Sequence, residues 1–520
     1  MDRKSLPYRL IFVTFCVLLA GIFTGIFAQS LGERFVAGEL LVKFNNGHGV
    51  NAARIAHRAV GSAVLEDLGD SKWQRVQLPV GMSIDKAIEL YNRLEGVEFA
   101  QPNFYYHLQL TPNDAQFNAA GMYGLTKISA PSAWDLSTGS SAVVVANIDT
   151  GMRMTHEDLL PNLWVNPGEI PANSIDDDGN GFIDDVNGMD FFYNDSNPAD
   201  EHGHGTHTGG TIGAAGNNFV GVTGVNWSVK IMPIKIYNNT GFGSTSAMLV
   251  NAYNYVRMMK LRGVNIRVTN NSYGGCDEAC GYDQATKDGI DAMGAVGILN
   301  VFAAGNDGRN TDTLPAYPAS YTSPSIISVA NSTSTDTRNS SSNIGLVTVD
   351  LAAPGSVILS TTFGSNSSYG AMTGTSMASP HVAGAAALLS AYNPSLSVAS
   401  LKATLLNTVD PLAPWAPLVK TGGRLNVDRA LRNQSVCTFT NAGGSMNVPT
   451  KGGVFSINIT SGQNCDYQVK SLSPWIKVMS GDALSGNGTV IFRVPVNPTI
   501  SRTGSISIAG QSFTVVQSRN

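Results

Sequence analysis

The spacing of apolar positions changes character three times along the chain. Between 38 and 107, short apolar runs at 39–44 and 75–78 read as strands. Ile84, Ala87, Ile88, Tyr91 and Leu94 share one face of a helix over 83–94, with Ser83 placed as its N-cap. Gly96 ends that helix, and a further strand opens at 97–100. From about 115 to 433, continuous apolar runs at 142–148, 229–236, 266–270 and 297–303 alternate with helical stretches such as 244–261 and 378–392. That alternation predicts a mostly parallel sheet with helices on both faces, its chemistry gathered at the carboxyl ends of the strands. From about 436 the chain turns to short runs at 454–459, 467–469, 490–494, 504–508 and 512–516, split by Gly, Asn and Ser. Helical spacing is absent there, which predicts an antiparallel, all-β sandwich of about 85 residues. The Ser/Thr/Asn-rich stretch 332–343 reads as a surface loop and Thr111-Pro112-Asn113-Asp114 as an exposed linker.

The first residues carry a different signal. Arg3, Lys4 and Arg9 flank or precede an apolar run at 10–27, and Ala28 supplies a small residue before Gln29, the pattern of a cleaved secretory signal peptide. An uncleaved anchor is the alternative, since a run of that length just spans a bilayer. Polar sequence begins at once after Ala28, which favours cleavage. The expected order is signal peptide 1–28, a small α/β unit 29–111, an α/β domain 112–433 and a β-sandwich 434–520.

With 520 residues, two to four modules are expected rather than one core. Lys and Arg total 33 against 38 Asp and Glu, a formal net charge of −5, which gives no field to draw nucleic acid or an anionic membrane. Only 14% of residues are charged, and Asn, Ser, Thr and Gly supply much of the polar surface, as suits an exported protein. Once Cys16 leaves with the signal, Cys276, Cys280, Cys437 and Cys465 remain. An even count in an exported chain points to two disulfides. Three pairings are open, and the sequence neighbourhoods favour Cys276–Cys280 and Cys437–Cys465. Zinc is the alternative, but one Cys-x-x-x-Cys with no second pair nearby is a poor zinc signature.

The candidate chemistry lies in four segments. In 374–384, Gly-Thr-Ser-Met-Ala-Ser-Pro-His-Val-Ala-Gly, Ser376 stands where a loop becomes a helix, so free N–H groups and the positive dipole end favour negative charge developing beside its hydroxyl. Pro380 falls in the opening turns, where its missing N–H costs least. A serine nucleophile needs a base within hydrogen-bond reach. His204, in the Gly-His-Gly-Thr-His-Thr-Gly-Gly stretch 203–210, is the candidate, and Asp149, ending a buried strand before Thr150-Gly151, is placed to hold its second ring nitrogen. Asn306, at the tip of the run 298–306, offers an amide N–H to a tetrahedral oxyanion together with the main-chain N–H of Ser376.

In the order Asp, His, Ser, the segments Asp149-Thr-Gly, His204-Gly-Thr-His207, Ala304-Gly-Asn306 and Gly374-Thr-Ser-Met-Ala-Ser-Pro380 resemble the subtilisin-like serine proteases, or subtilases. The likeness covers roughly 112–433. It implies a secreted, monomeric serine endopeptidase that hydrolyses proteins or peptides through an acyl-enzyme at Ser376. Ser272-Tyr273-Gly274-Gly275 resembles the family's substrate-binding strand, which pairs with an extended peptide, and Gly241-Phe242-Gly243-Ser244 resembles the opposite strand of the cleft. The family often has another aromatic or aliphatic residue where Tyr273 stands, and both segments also fit a plain loop and strand end. Residues 34–107, notably 38–44 (Gly-Glu-Leu-Leu-Val-Lys-Phe) and 97–103 (Val-Glu-Phe-Ala-Gln-Pro-Asn), resemble subtilase inhibitory propeptides. That implies that 29–111 chaperones folding, occupies the cleft as an intramolecular inhibitor, and is cut away autocatalytically near 107–116. The tail, with Cys437, Cys465, Trp475-Ile-Lys-Val and Phe513-Thr-Val-Val-Gln517, resembles the BACON-type sandwiches of bacterial extracellular enzymes. That likeness implies a glycan contact and association with the cell surface, or a spacer or stabilising role.

The stretch 176–187 follows an EF-hand-like spacing. Asp176, Asp178 and Asn180 fall at loop positions 1, 3 and 5, Gly181 at 6, the main chain of Phe182 at 7 and Ile183 at 8. Position 12 is Asn187 rather than Glu, so Asp184, Asp185 or water must complete the shell. Structural calcium is the expectation, a solvated acidic turn the alternative. His202, His204 and His207 lie close together without a motif that completes a metal site. His207 is read as structural, His202 as an exposed loop residue and His381 as a packed core residue. His156-Glu157 lacks the second histidine of a metalloprotease motif, because position 160 is Leu.

Overall fold

The computed structural model describes residues 35–45, 50–69, 72–105, 110–274, 281–497 and 500–518. The chain divides into two compact units, Met1–Leu108 and Gln109–Asn520. The expected signal peptide and the Cys276–Cys280 pair lie outside the described residues.

In the first unit, β1 (Phe35–Phe44), β2 (Ala63–Asp67), β3 (Trp73–Gln77) and β4 (Val97–Phe104) form an antiparallel sheet in the order β2-β3-β1-β4. Helix Ile84–Tyr91 packs on β1 and β4. Ser83 caps it, its hydroxyl accepting the N–H of Lys86 at 3.3 Å. Helix Val50–Val60 and β2 were not expected. The helix sends a histidine into the core, where His57 bonds Tyr91 at 2.8 Å and Gln74 at 2.7 Å, and β2 is exposed along its whole length and so shows no apolar alternation.

The second unit is built on β5 (Gly139–Asp149), β6 (Met189–Asp190), β7 (Ser228–Lys235), β8 (Ile266–Asn271), β9 (Leu299–Ala303), β10 (Ile326–Ser332), β11 (Leu351–Pro354), a hairpin of β12 (Ile358–Thr361) and β13 (Tyr369–Met372), β14 (Asp410–Pro411) and β15 (Gly423–Arg424). Nine of these strands form one sheet, β14-β15-β11-β10-β9-β8-β5-β7-β6, parallel except at the β14–β15 edge. Alternate side chains of β5 enter different cores. Val145 packs beneath helix Thr375–Tyr392, and Val144, Ala146 and Ile148 pack beneath helices Ser246–Leu261 and Gln284–Ala295. The strand order reverses at β5, whose neighbours β7 and β8 both follow it in sequence, so the crevice typical of such a switch opens where β5 ends at Asp149.

Two local expectations are corrected. Pro112 and Asp114 are buried, not part of an exposed linker, because the side chains of Asn113 and Asp114 accept the N–H groups of Phe219 at 2.9 Å and Asn217 at 2.7 Å. The stretch 332–343 is only partly a surface loop. Ser332 ends β10, and Ser332, Ser342 and Asn343 are fully buried.

Beyond 433, one sheet pairs Gly444–Val448, Gln511–Gln517, Arg502–Ile508, Asp466–Ser471 and Ala483–Ser485 in that order, and a second pairs Gly453–Ile459, Gly488–Val494 and Lys477–Val478. Their inner faces share a core that includes Ile457, Tyr467, Val490, Phe492 and Val515. The first pair is parallel, where an antiparallel sandwich was expected, because Gly444–Val448 and the last strand run the same way along the sheet edge. Cys437 is joined to Cys465 across a separation of 28 residues. Lys402, on helix Val398–Asn407, reaches into this β-rich part and pairs with Asp466 at 2.6 Å, with both side chains nearly buried.

Candidate active site

Asp149 is the last residue of β5 and is 2% exposed. Its Oδ1 lies 2.7 Å from Nδ1 of His204, the first residue of helix His204–Gly213. The same carboxylate accepts the N–H of Thr150 at 2.7 Å and, through Oδ2, the hydroxyl of Thr208 at 3.2 Å. This close approach of helix to strand needs glycine at 205, because a Cβ there would lie 2.1 Å from the carbonyl oxygen of Gly151. Burial works to lower the pKa of His204, but the neighbouring Asp149 carboxylate outweighs it, so the net shift is upward from 6.5.

Asp200, which no motif marks in the sequence, fixes the turn into that helix. Its Oδ1 accepts Thr150 Oγ1 and the N–H groups of His202 and Gly203, and its Oδ2 accepts Thr206. His202 is exposed, and His207 donates its Nε2–H to the Ile358 carbonyl, 2.9 Å away. His381 bonds the Met377 carbonyl. Burial pushes His207 and His381 down to about 4, so both stay neutral across the physiological range.

Ser376 is the second residue of helix Thr375–Tyr392, which packs on helix His204–Gly213 and on β5. At that position its N–H is left unused by the helix ladder. Pro380 has no N–H for the Ser376 carbonyl, and Ser272 Oγ donates to that carbonyl instead, at 3.0 Å. Ser376 Oγ rests on the carbonyl of Ser272 at 3.2 Å. Among the described residues, no hydrogen bond joins it to His204. Asn306 follows the β9 strand by three residues. Its Oδ1 accepts Thr375 N–H at 2.8 Å and Thr375 Oγ1 at 3.1 Å, which fixes the amide beside the start of the Ser376 helix. A Cβ built on Gly374 would stand 3.5 Å from the Asn306 amide and 3.6 Å from the Ser376 nitrogen, so both donors border one small space.

A buried polar network ties these elements together. Asn147 on β5 donates to Gly205 O and Thr208 Oγ1, and accepts from Asn270 on β8. Asn270 accepts from Ser379 and donates to Ser272. The signal available in sequence was Thr269-Asn270-Asn271, three polar residues in a strand otherwise reading as buried. Asn343 does the same for the Asn306 turn. Its Nδ2 donates to Ala304 O, and its Oδ1 accepts the N–H groups of Asp307 and Arg309.

Ser272, Tyr273 and Gly274 follow directly on β8. The Tyr273 ring turns inward, its hydroxyl donating to Asn271 at 2.9 Å and lying 2.7 Å from that of Tyr253. Gly274 takes φ +103°, and a Cβ there would strike the Tyr317 carbonyl at 2.5 Å. Gly241 and Gly243 lie in a turn rather than a strand, organised by the Asn238 side chain. Ser244 and Thr245, just after it, face Tyr273 and Gly274 across a cavity of about 510 Å³ that Tyr282, Tyr317 and Tyr321 also line.

Of the six residues expected around a cation, Asp178 and Asp185 converge, joined by Glu169, which no spacing rule pointed to. One carboxylate oxygen from each lies within 4.8 Å of the others. Asp176 instead accepts the N–H groups of Asn180 and Gly181, and Asp184 accepts those of Asn173 and Ser174. Asn180 accepts Phe182 N–H and donates to Asp178 and Asp185, while the Phe182 ring packs edge-on against Tyr255. Burial raises the carboxyl pKa values of Glu169 and Asp185. Three nearly buried hard-oxygen donors at this spacing fit a divalent cation such as calcium.

Residues 140–442 match a family model described as Subtilase family, and residues 24–103 one described as Fervidolysin N-terminal prodomain. The chain is 35% identical over 326 residues to thermitase of Thermoactinomyces vulgaris, covering 62% of this chain and 99% of that one. It is 32% identical over 419 residues to an extracellular protease of Xanthomonas campestris, covering 73% and 68%. It is 30% identical over 417 residues to subtilisin NAT of Bacillus subtilis subsp. natto, covering 78% and 94%. A solved protease from Pseudoalteromonas arctica is similar at 27% identity and a TM-score of 0.50, covering 62% of this chain and 99% of that one.

Proposed function

The chain belongs to the subtilase family, and from that premise we propose that Ser376 is its nucleophile, His204 its general base, Asp149 the residue that orients the base and Asn306 an oxyanion donor. It is a serine endopeptidase made as a zymogen with its own propeptide, and its substrates are peptides. The observation that carries the assignment is the 2.7 Å contact of buried Asp149 with His204, on a helix packed against the one whose second residue is Ser376.

In the proposed reaction an extended peptide lies along Ser272, Tyr273 and Gly274, with Gly241 and Gly243 across the cleft. Ser376 Oγ leaves the Ser272 carbonyl and bonds the scissile carbon as its proton passes to His204 Nε2. The carbonyl π electrons move onto oxygen, which the Asn306 amide and the Ser376 N–H receive. The C–N bond then breaks as His204 returns the proton to the departing amine, leaving an acyl ester on Ser376. Water opens that ester by the same route, with His204 first base and then acid. Asp149 keeps Nδ1 protonated and steadies the imidazolium.

The propeptide is proposed to inhibit the enzyme until autocatalytic removal near 107–116, and a mature N-terminus at Gln29 would refute that. Secretion rests on the signal-like pattern at 1–28. Among the described residues, no helix is long and apolar enough to cross a membrane. Glu169, Asp178 and Asp185 are proposed to hold a structural calcium ion, which would neutralise their mutual repulsion. The enzyme is proposed to act as a monomer, with the C-terminal sandwich open to glycan contact. Labelling of the active enzyme by a fluorophosphonate tests the central assignment. Wild type should be labelled and Ser376→Ala should not, and equal labelling of the two would overturn it.

A further inference from the structure

The C-terminal sandwich connects to the wall of the cleft. The rings of Tyr282, Tyr317 and Tyr321 contact one another, with centroids 4.6–5.6 Å apart. Tyr321 is held through its hydroxyl, which accepts the N–H of Asp283 at 3.1 Å and donates to the carbonyl of the same residue at 2.9 Å. Asp283 in turn caps helix Gln284–Ala295 by accepting the N–H groups of Ala285 and Thr286. One turn along that helix, Lys287 is 4% exposed and donates to Asp291 at 2.7 Å and to Asp482 at 2.9 Å. The other oxygen of Asp291 accepts the Ser323 hydroxyl at 2.6 Å, two residues past Tyr321. Asp482 is a sandwich residue, next to strand Ala483–Ser485. The segment carrying Tyr321 and Ser323 also lines a second cavity, of about 360 Å³, whose far side is formed by Asp466, Leu484 and Ser485 of the sandwich.

We infer that the β-sandwich is a specificity element of the enzyme: through Asp482 and Lys287 it holds the tyrosine wall in position to receive a bulky apolar side chain of an extended substrate. The inference rests on the cleft assignment above. A buried ammonium needs its full set of carboxylate partners, and here burial opposes the charge of Lys287 while Asp291 and Asp482 keep its pKa above the ordinary lysine value. Removing Asp482 leaves Lys287 to pull on Asp291 alone, and Asp291 is the group that also anchors Ser323. The slack falls on the wall, not on the Asp149–His204 contact.

The test uses the full-length enzyme and two fluorogenic peptides with the same scissile bond, one short and one extended by residues that include a bulky apolar side chain. Asp482→Asn and Asp482→Lys are compared with wild type, and the 62% exposure of the Asp482 side chain leaves either variant free to fold. The expected result is a KM for the extended peptide raised about 2–5-fold in Asp482→Asn and more in Asp482→Lys. In both, kcat and the short peptide's kcat/KM should stay near wild type. An equal change for both peptides, or no change with the reversed charge, would overturn the inference. If wild type cleaves neither peptide, the cleft assignment itself has failed and the inference falls with it.

Discussion

Ser272 and Ser376 exchange hydrogen bonds, each hydroxyl donating to the main-chain carbonyl of the other, at 3.0 and 3.2 Å. The bond to the Ser376 carbonyl fills the gap that Pro380 leaves in the helix ladder. Ser272→Ala should therefore strand a half-buried carbonyl and lower stability by about 1–3 kcal/mol in urea unfolding. Adding Pro380→Ala to the same chain returns an N–H and should recover part of the loss. No recovery would mean that Ser272 matters for another reason.

The pH dependence follows from His204. Its folded pKa is raised, so its protonation contributes stability that is fully present below about 6.5 and is lost as pH rises through the folded value. Catalysis needs the neutral ring, so kcat/KM should fall as pH drops through that same raised value. In Asp149→Asn, burial acts without the opposing carboxylate. The acid limb should then move to lower pH, and kcat should fall by about 10⁴, the scale known for removing this carboxylate in serine proteases. A pH–rate profile of both proteins decides it, and a limb that stays in place or moves upward would contradict the assigned role.

Asn306→Ala should lower kcat by about 10²–10³ with KM little changed, the size found for losing such an amide in a subtilisin. Asn343→Ala removes the hub of the Asn306 turn. It should cost about 1–3 kcal/mol of stability and lower kcat by less than Asn306→Ala does. Steady-state kinetics beside denaturant curves separate the two, and an Asn343 variant with wild-type stability would refute the hub role.

Much of the architecture could be read beforehand because the strands of the parallel sheet are buried on both faces and so appear as mainly apolar runs, broken by single polar residues such as Asn147 in 142–148 and Lys230 and Lys235 in 229–236. The segments around Asp149, His204, Asn306 and Ser376 stood out because glycines and short polar residues interrupt such runs at strand and helix ends. What stayed hidden was pairing at long range. Asn147 meets Thr208 across 61 positions and Asn270 meets Ser379 across 109, and apolar periodicity says which face is buried but not which polar atoms meet there. Glu169 escaped for a related reason: it lies before the 176–187 loop and reaches its carboxylates only once the chain has folded back.

Calcium binding at Glu169, Asp178 and Asp185 should appear as a melting temperature that rises with calcium and falls with EDTA. Saturation well above Kd corresponds to roughly 5–10 °C. Glu169→Gln should shrink the calcium-dependent part of that shift. An unchanged melting temperature in excess chelator would remove the calcium proposal.

Lys402 and Asp466 form a nearly buried pair, their side chains 4% and 11% exposed. Burial works to raise the Asp466 pKa, but Lys402 outweighs it and holds the carboxyl below 3.8, so its contribution is present above about 3.8 and is lost as pH falls through the folded value. Asp466→Asn leaves Lys402 charged without its partner and should cost about 3–5 kcal/mol near neutral pH, and less in acid. A loss that is the same at both pH values would show that the pair is not the source.

A protease in its own solution is also a substrate. The bond between Cys437 and Cys465 closes a loop of chain at the start of the sandwich, so one cut inside that loop opens the chain without freeing either piece. Nicked and intact molecules would then travel together on a gel until a reductant is added, and self-digestion there would pass unseen in any assay that judges integrity by size alone.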